Sequence, residues 1–190
     1  GLTSARHDIL CPYYREKYPE TFDAGVDEKL VYCGPYKLED KLEGSSMTIA
    51  QALLSPTRTY APVIMKIMKK HPGLIKGLVH CSGGGQTKCV RFGKSVHFVK
   101  DNLMDVPPIF KAIQKASGTS DREMFEVYNM GHRMEVYCSK SDAKKVIDIA
   151  ESYAVEARVI GHTEKSARPD RKNHVSVKYA GKTLEYGPRD

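Results

Sequence analysis

The chain has 190 residues, 41% of them hydrophobic and 28% charged, with a formal net charge of +7. That length suits one domain with a real core. No apolar run reaches the roughly 20 residues of a membrane-spanning helix, there is no low-complexity tract or internal repeat, and the opening "GLTSARHD" lacks the apolar centre of a signal peptide.

Taken in chain order, "ARHDILCPYYREKYPETF" has the apolar spacing of a helix with Pro12 in its first turn. "DAGVDEKLVYCGPYKLEDKLEGS" is turn-rich, a long loop or a short strand pair. "IAQALL" is a short helix that Ser55-Pro56 ends, and "RTYAPVIMKIMKK" is an amphipathic one that stops at His71-Pro72-Gly73. "LIKGLVHCS" reads as a buried strand and "KSVHFVKD" as an alternating one. Two helices follow: "VPPIFKAIQKAS", with proline in its first turn and Gly118 past its end, and "TSDREMFEVYNMG", capped by Thr119 or Ser120. "HRMEVYCS" is a strand, "KSDAKKVIDIAESY" a helix with Ser141 as cap, and "EARVIGHTEK" a strand. "SARPDRKN" is a polar connection, and "HVSVKYAGKTLEY" is a hairpin turning at Ala180-Gly181. Helices alternating with strands before a closing hairpin predict an α+β fold, an α/β sandwich with helices over a mixed sheet. One domain is expected, residues 1–165 with residues 166–190 packed on it.

The charge is unevenly placed. From Gly44 to Lys100 there is no acid but there are nine lysines and arginines, so the remainder of the chain is net −2. Inside that stretch lies "GLVHCSGGGQTKCVRF", three glycines behind a strand. A tight turn needs one or two glycines; three let a ligand approach the main chain, whose successive N–H groups can cradle an oxyanion. Ser82 and Thr87 could add hydroxyls, and Lys88 or Arg91 charge. The spacing is neither G-K-[ST] nor G-x-G-x-x-G, and a turn packed against a neighbour would use the same glycines. His80, before the loop, is either structural or an acid–base group. Thr57 could cap the helix that Arg58 heads, with Arg58 gripping phosphate, or Arg58 could simply face solvent. Asn129, at a helix-to-strand turn with Gly131, could bond its own backbone or face a ligand. The five cysteines contain no C-x-x-C pair, so neither zinc nor a disulfide framework is indicated, and Cys81 and Cys89 read as buried thiols in a reducing cytoplasm. No nucleophile–base pair, carboxylate dyad or metal cluster emerges.

Together "LSPTRTYAPVI", "GLVHCSGGG", "DVPPIFKAIQKASGTSDREMFEVYNMGHRMEV" and "ARVIGHTEK" resemble, in order and spacing, the C-terminal half of the phosphoribosylformylglycinamidine cyclo-ligase family, aminoimidazole ribonucleotide synthetases, from Gly1 to about Lys165. The chain opens at Gly1 like the middle of a protein. The resemblance implies ATP-dependent ring closure of formylglycinamidine ribonucleotide in purine synthesis by a cytoplasmic homodimer. It also implies ATP and Mg²⁺ held mainly by an N-terminal half outside this chain, with no metal site here. The partner would be a phosphorylated small molecule, not nucleic acid or a membrane. Carried over, Gly83, Gly84 and Gly85, with Ser82 and His80, line the cleft near phosphate, with Arg58 and Asn129 close by and His80 the catalytic candidate. Two departures stand out: Thr3 occupies a position where the family often has histidine, and "GGGQTKCVR" replaces "GGGxxENIPR". A same-fold kinase or synthetase, a basic nucleic-acid module and a dimerisation domain are the competing expectations, although only Tyr60, Phe92 and Phe98 interleave the basic stretch.

Overall fold

The computed structural model describes residues 1–187. Its helices are α1 (Leu2–Ile9), α2 (Tyr13–Lys17), α3 (Ile49–Leu53), α4 (Ala61–Lys70), α5 (Pro108–Ser117), α6 (Asp121–Val127) and α7 (Ala143–Glu151). The strands are β1 (Gly77–His80), β2 (Val96–Lys100), β3 (Met134–Tyr137), β4 (Gly161–Lys165), β5 (His174–Tyr179) and β6 (Lys182–Tyr186). Between β1 and β2 runs a 3-10 helix, Gly85–Arg91. Among the described residues no helix is long and apolar enough to cross a membrane.

Local chemistry explains most boundaries. The first expected helix is two, because Cys11 precedes a proline and is driven out of the helical region. Leu10 is extended and bridges to Tyr36, and α2 restarts behind Pro12. In α3, Thr48 and Gln51 form a reciprocal capping box. Ser120 caps α6, and Gly118 closes α5 at φ 69°. Ser141 does not cap α7: a 3-10 turn, Lys140–Asp142, leads into it, and Ser139 Oγ donates to Asp142 at 2.6 Å. Thr57 does not cap α4, whose N-cap is Tyr60.

The fold is α+β, but its strands form two units rather than one sheet. Four make a mixed sheet ordered β4-β2-β5-β6, with β2 antiparallel to β4 and parallel to β5. The closing hairpin, β5–β6, thus belongs to the same sheet as β2 and β4. β1 and β3 form a separate antiparallel ribbon, with His80 opposite Met134 and Val79 opposite Glu135. No ladder joins this ribbon to the sheet among the described residues. Side chains join them instead: Phe98 meets Tyr137 edge to face at 5.8 Å, and Lys100 reaches Glu135. β1 is therefore not the fully buried strand expected; Val79 is buried but Leu78 is 41% exposed.

The main core gathers α1, α3, α5 and α6 around Ile9, Ile49, Ile113, Met124 and Phe125, with Val175 and Val177 from the sheet. Each such side chain contributes about 1.5–3 kcal/mol of transfer free energy. A smaller cluster pairs α4 with α7 through Val63, Ile67, Ile149 and Ala150. Between the two lies a groove of about 1450 Å³, which Arg58, Tyr60 and Arg133 border.

A candidate anion-binding loop

β1 delivers the chain to a turn that only glycine adopts without strain. Gly83, Gly84 and Gly85 have φ of 54°, 102° and 47°, consecutive left-handed residues. They do different work. A β-carbon on Gly85 would strike the carbonyl oxygens of Phe125, at 2.6 Å, and of Tyr128, so this glycine lets the loop rest on the end of α6. A β-carbon on Gly83 would meet nothing within 4 Å. Gly83 is exposed, Gly84 half-buried, and neither amide has an acceptor among the described residues. Packing accounts for one glycine; the other two leave main-chain donors without an acceptor among the described residues.

The polar residues expected around the loop divide between those that face out and those that hold it. Ser82 is exposed, and its N–H bonds the His80 carbonyl at 2.8 Å. Lys88 donates to the Ser82 carbonyl at 2.7 Å, so it latches the loop while setting an ammonium beside the Ser82 hydroxyl. Thr87 turns inward and donates to the Gly84 carbonyl at 2.9 Å. Arg91 ends the 3-10 helix, roughly 12 Å along at about 2 Å per residue.

His80 is half-buried, its ring 6.2 Å from that of Tyr60. Arg133 ties the segment before α4 to β3 by donating to the Pro56 carbonyl at 3.0 Å. Burial raises the Tyr60 phenol pKa, while the positive charges of Arg133 and Arg58 oppose that rise. Arg58 is exposed near this end of the ribbon, but it precedes α4 rather than heading it. Asn129 accepts from the Gly131 N–H at 3.1 Å, which settles its side chain in a turn on its own backbone. Its carbonyl takes the Gln86 amide, so the Asn129 turn and the glycine loop are joined through the main chain.

Behind the loop is a network that the sequence did not announce. Lys100, 3% exposed, donates to the Gln86 carbonyl at 2.6 Å, to Gln86 Oε1 at 3.0 Å and to Glu135 Oε1 at 2.5 Å. Glu135 also takes His132 Nε2 at 3.1 Å, the Cys81 thiol at 3.2 Å and the Tyr137 hydroxyl at 2.5 Å. Burial pushes the Glu135 carboxyl up, but the Lys100 ammonium and these hydrogen bonds outweigh it and hold the pKa at about 2. Burial and the neighbouring carboxylate drive the Cys81 thiol far up. Cys89 is held at about 11, chiefly by burial, so neither is a nucleophile at neutral pH. Lys100 of the basic stretch is therefore spent inside the protein, and Lys88 is tied to the Ser82 carbonyl. The one signal for this network was lysine in the alternation of β2, at a position that should be apolar; Glu135 falls between Met134 and Val136, where alternation expects a polar residue, and gave none.

Comparison with known proteins places these features in a family. Residues 35–172 match the family described as AIR synthase related protein, C-terminal domain, and the chain belongs to that family. It is 41% identical over 140 residues to the phosphoribosylformylglycinamidine cyclo-ligase of Methanococcus vannielii, covering 72% of this chain and 40% of the relative. The cyclo-ligase of Methanocaldococcus jannaschii is 40% identical over 124 residues, covering 65% and 35%. That of Caldicellulosiruptor saccharolyticus is 33% identical over 144 residues, covering 74% and 40%. The chain thus spans about 40% of the length of the curated relatives it matches.

Proposed function

We propose that this member of the AIR synthase-related C-terminal family is the substrate-holding domain of a cyclo-ligase that closes formylglycinamidine ribonucleotide to aminoimidazole ribonucleotide in purine biosynthesis. The observation that carries the proposal is the pair of unmatched amides at Gly83 and Gly84, on a backbone bare of side chains. Such donors suit the phosphate of a ribonucleotide or a phosphoryl group in transfer. The names borne by the relatives supply the substrate. Ser82 adds a hydroxyl, Lys88 a charge and Arg58 a second cation at the end of the ribbon.

Ring closure asks this domain chiefly for position. The substrate carries both its amidine nitrogen and the formyl carbon that nitrogen attacks, so a rigid cradle that fixes one end supplies much of the catalysis. No nucleophilic side chain is required, in keeping with two inert buried cysteines at the loop. His80 is the candidate for holding a proton near the reacting groups. ATP, when bound, activates the formamide oxygen. The loop cluster does not fit a magnesium–nucleotide, since Glu135 is buried and committed to Lys100. ATP and Mg²⁺ therefore belong elsewhere in a larger enzyme, for which a cytoplasmic homodimer is the expected form. A nucleic-acid module is disfavoured because part of the basic stretch is consumed internally.

The test is calorimetric titration with formylglycinamidine ribonucleotide, with Mg-ATP and with a random oligonucleotide. Binding of the ribonucleotide by this chain, without binding of the other two, is expected. Binding of the oligonucleotide alone, with steep salt dependence, would overturn the assignment.

A further inference from the structure

Arg133 stands just before β3, and its carbonyl accepts the Cys81 N–H at 2.6 Å. Cys81 lies two residues before Gly83, no more than about 7 Å along an extended chain. Arg133 is therefore rooted at the base of the glycine loop. Its Nη1 donates to the Pro56 carbonyl at 3.0 Å, two positions before Arg58, and the rest of its donor fork is unused among the described residues. That tie sets the guanidinium beside the segment that carries Arg58 and Tyr60.

Two cations thus act on one phenol. The charges of Arg58 and Arg133 both reach Tyr60, and all three residues border the groove. Neither guanidinium meets a carboxylate among the described residues, and there is no acid from Gly44 to Lys100. The Tyr60 hydroxyl has no hydrogen-bond partner among the described residues either. Burial keeps that phenol protonated, so it can donate. Like charges brought to one place repel unless an anion lies between them. A guanidinium fork matches the paired oxygens of a phosphoryl group and stays charged at every working pH.

From this geometry, and on the basis of the function proposed above, we infer that Arg133, Arg58 and Tyr60 form a second phosphoryl subsite, distinct from the glycine loop. Two phosphorus centres take part in that reaction. One is the phosphate of the ribonucleotide, which passes through unchanged and which the loop amides hold. The other is the phosphoryl group whose bond to the nucleoside diphosphate breaks as its bond to the formamide oxygen forms. The amidine nitrogen then bonds to the formyl carbon and gives up a proton, and the oxygen departs with the phosphoryl group as inorganic phosphate. Arg133 and Arg58 bind this second group, and their fixed charges stabilise it as it leaves.

The test is calorimetric titration with inorganic phosphate alone, at constant ionic strength and with a Tm control for each variant. The unsubstituted protein should take two phosphates and Gly83→Asp one, held by the arginines. In the Gly83→Asp background, Arg133→Gln and Arg58→Gln should each weaken that remaining phosphate about tenfold or more, and Arg133→Lys should restore part of the loss. Should the half-buried Arg133→Gln misfold, the exposed Arg58→Gln still decides. A phosphate in Gly83→Asp that neither arginine variant weakens, or no phosphate left in Gly83→Asp, would overturn the subsite. Binding lost in the arginine variants but untouched by Gly83→Asp would overturn the loop as a phosphate site and leave this one standing.

Discussion

Two polar clusters sit in this molecule, one between the ribbon and the sheet, the other across the sheet itself. In the first, the oxygens of Glu135 are all taken up by Lys100, His132, Cys81 and Tyr137, and every group is buried or half-buried. In the second, the stacked imidazoles of His97 and His174 hold Glu164, Ser176 and Ser166 through their ring nitrogens, close to an exposed Glu185. A closed network of buried charges holds backbone in place, whereas one that reaches exposed carboxylates stays in contact with water. The same distinction runs through the glycine loop, where Gly85 is spent on packing and Gly83 is not.

The largest effect should follow from opening the closed network. Glu135→Ala strands the Lys100 ammonium and should cost about 3–5 kcal/mol in urea unfolding. Lys100→Met with Glu135→Leu, which removes both charges, should cost clearly less. An equal cost would mean that cavity formation, and not an unpaired charge, dominates. Next comes Gly85→Ala, which drives a methyl into the carbonyls ending α6 and should cost about 2 kcal/mol or more. Gly83→Ala should cost only the left-handed strain, about 1–2 kcal/mol, because the space around it is open.

Acid should separate the two clusters as well. The folded Glu135 pKa of about 2 lies below the ordinary 4.5, so its contribution to stability is complete above pH 4.5 and is lost as the pH falls towards 2. Acid unfolding of Glu135→Gln should accordingly be flatter across that interval. The smallest effect belongs to the exposed helical pair Lys144–Asp148: Lys144→Ala should leave the Tm unchanged. A clear drop there would undermine the ranking of buried over exposed charge.

Much of this was legible in the sequence, for identifiable reasons. Helices α3 to α7 and the closing hairpin announce themselves through period, prolines and caps, which are local signals. The first helix was misjudged because Pro12 starts α2 without preventing another helix before it. The glycine loop was visible as a string of residues, but the division of labour within it depends on the end of α6, more than thirty positions later in the chain. Asn129 was open between two roles that only the turn could settle. Thr87 looked like a ligand for an anion and braces the loop, while Lys88 braces it and still sets its ammonium beside Ser82. His97 and His174 meet only because β2 and β5 are parallel neighbours, a topological fact no local pattern encodes.

Charge at Gly83 offers the sharpest test of the anion-binding loop. Gly84→Val is less informative, since φ of 102° would strain any β-branched residue and distort the turn by itself. Asn and Asp both tolerate the Gly83 conformation, occupy the same open space and differ by one negative charge. The measurement is therefore the affinity of the protein for formylglycinamidine ribonucleotide, the proposed substrate, in Gly83→Asn and Gly83→Asp, each with a Tm control. Weakening of at least tenfold in Gly83→Asp relative to Gly83→Asn, at equal Tm and relieved by salt, is the predicted result. Equal affinities in the two variants would contradict a phosphate at this loop.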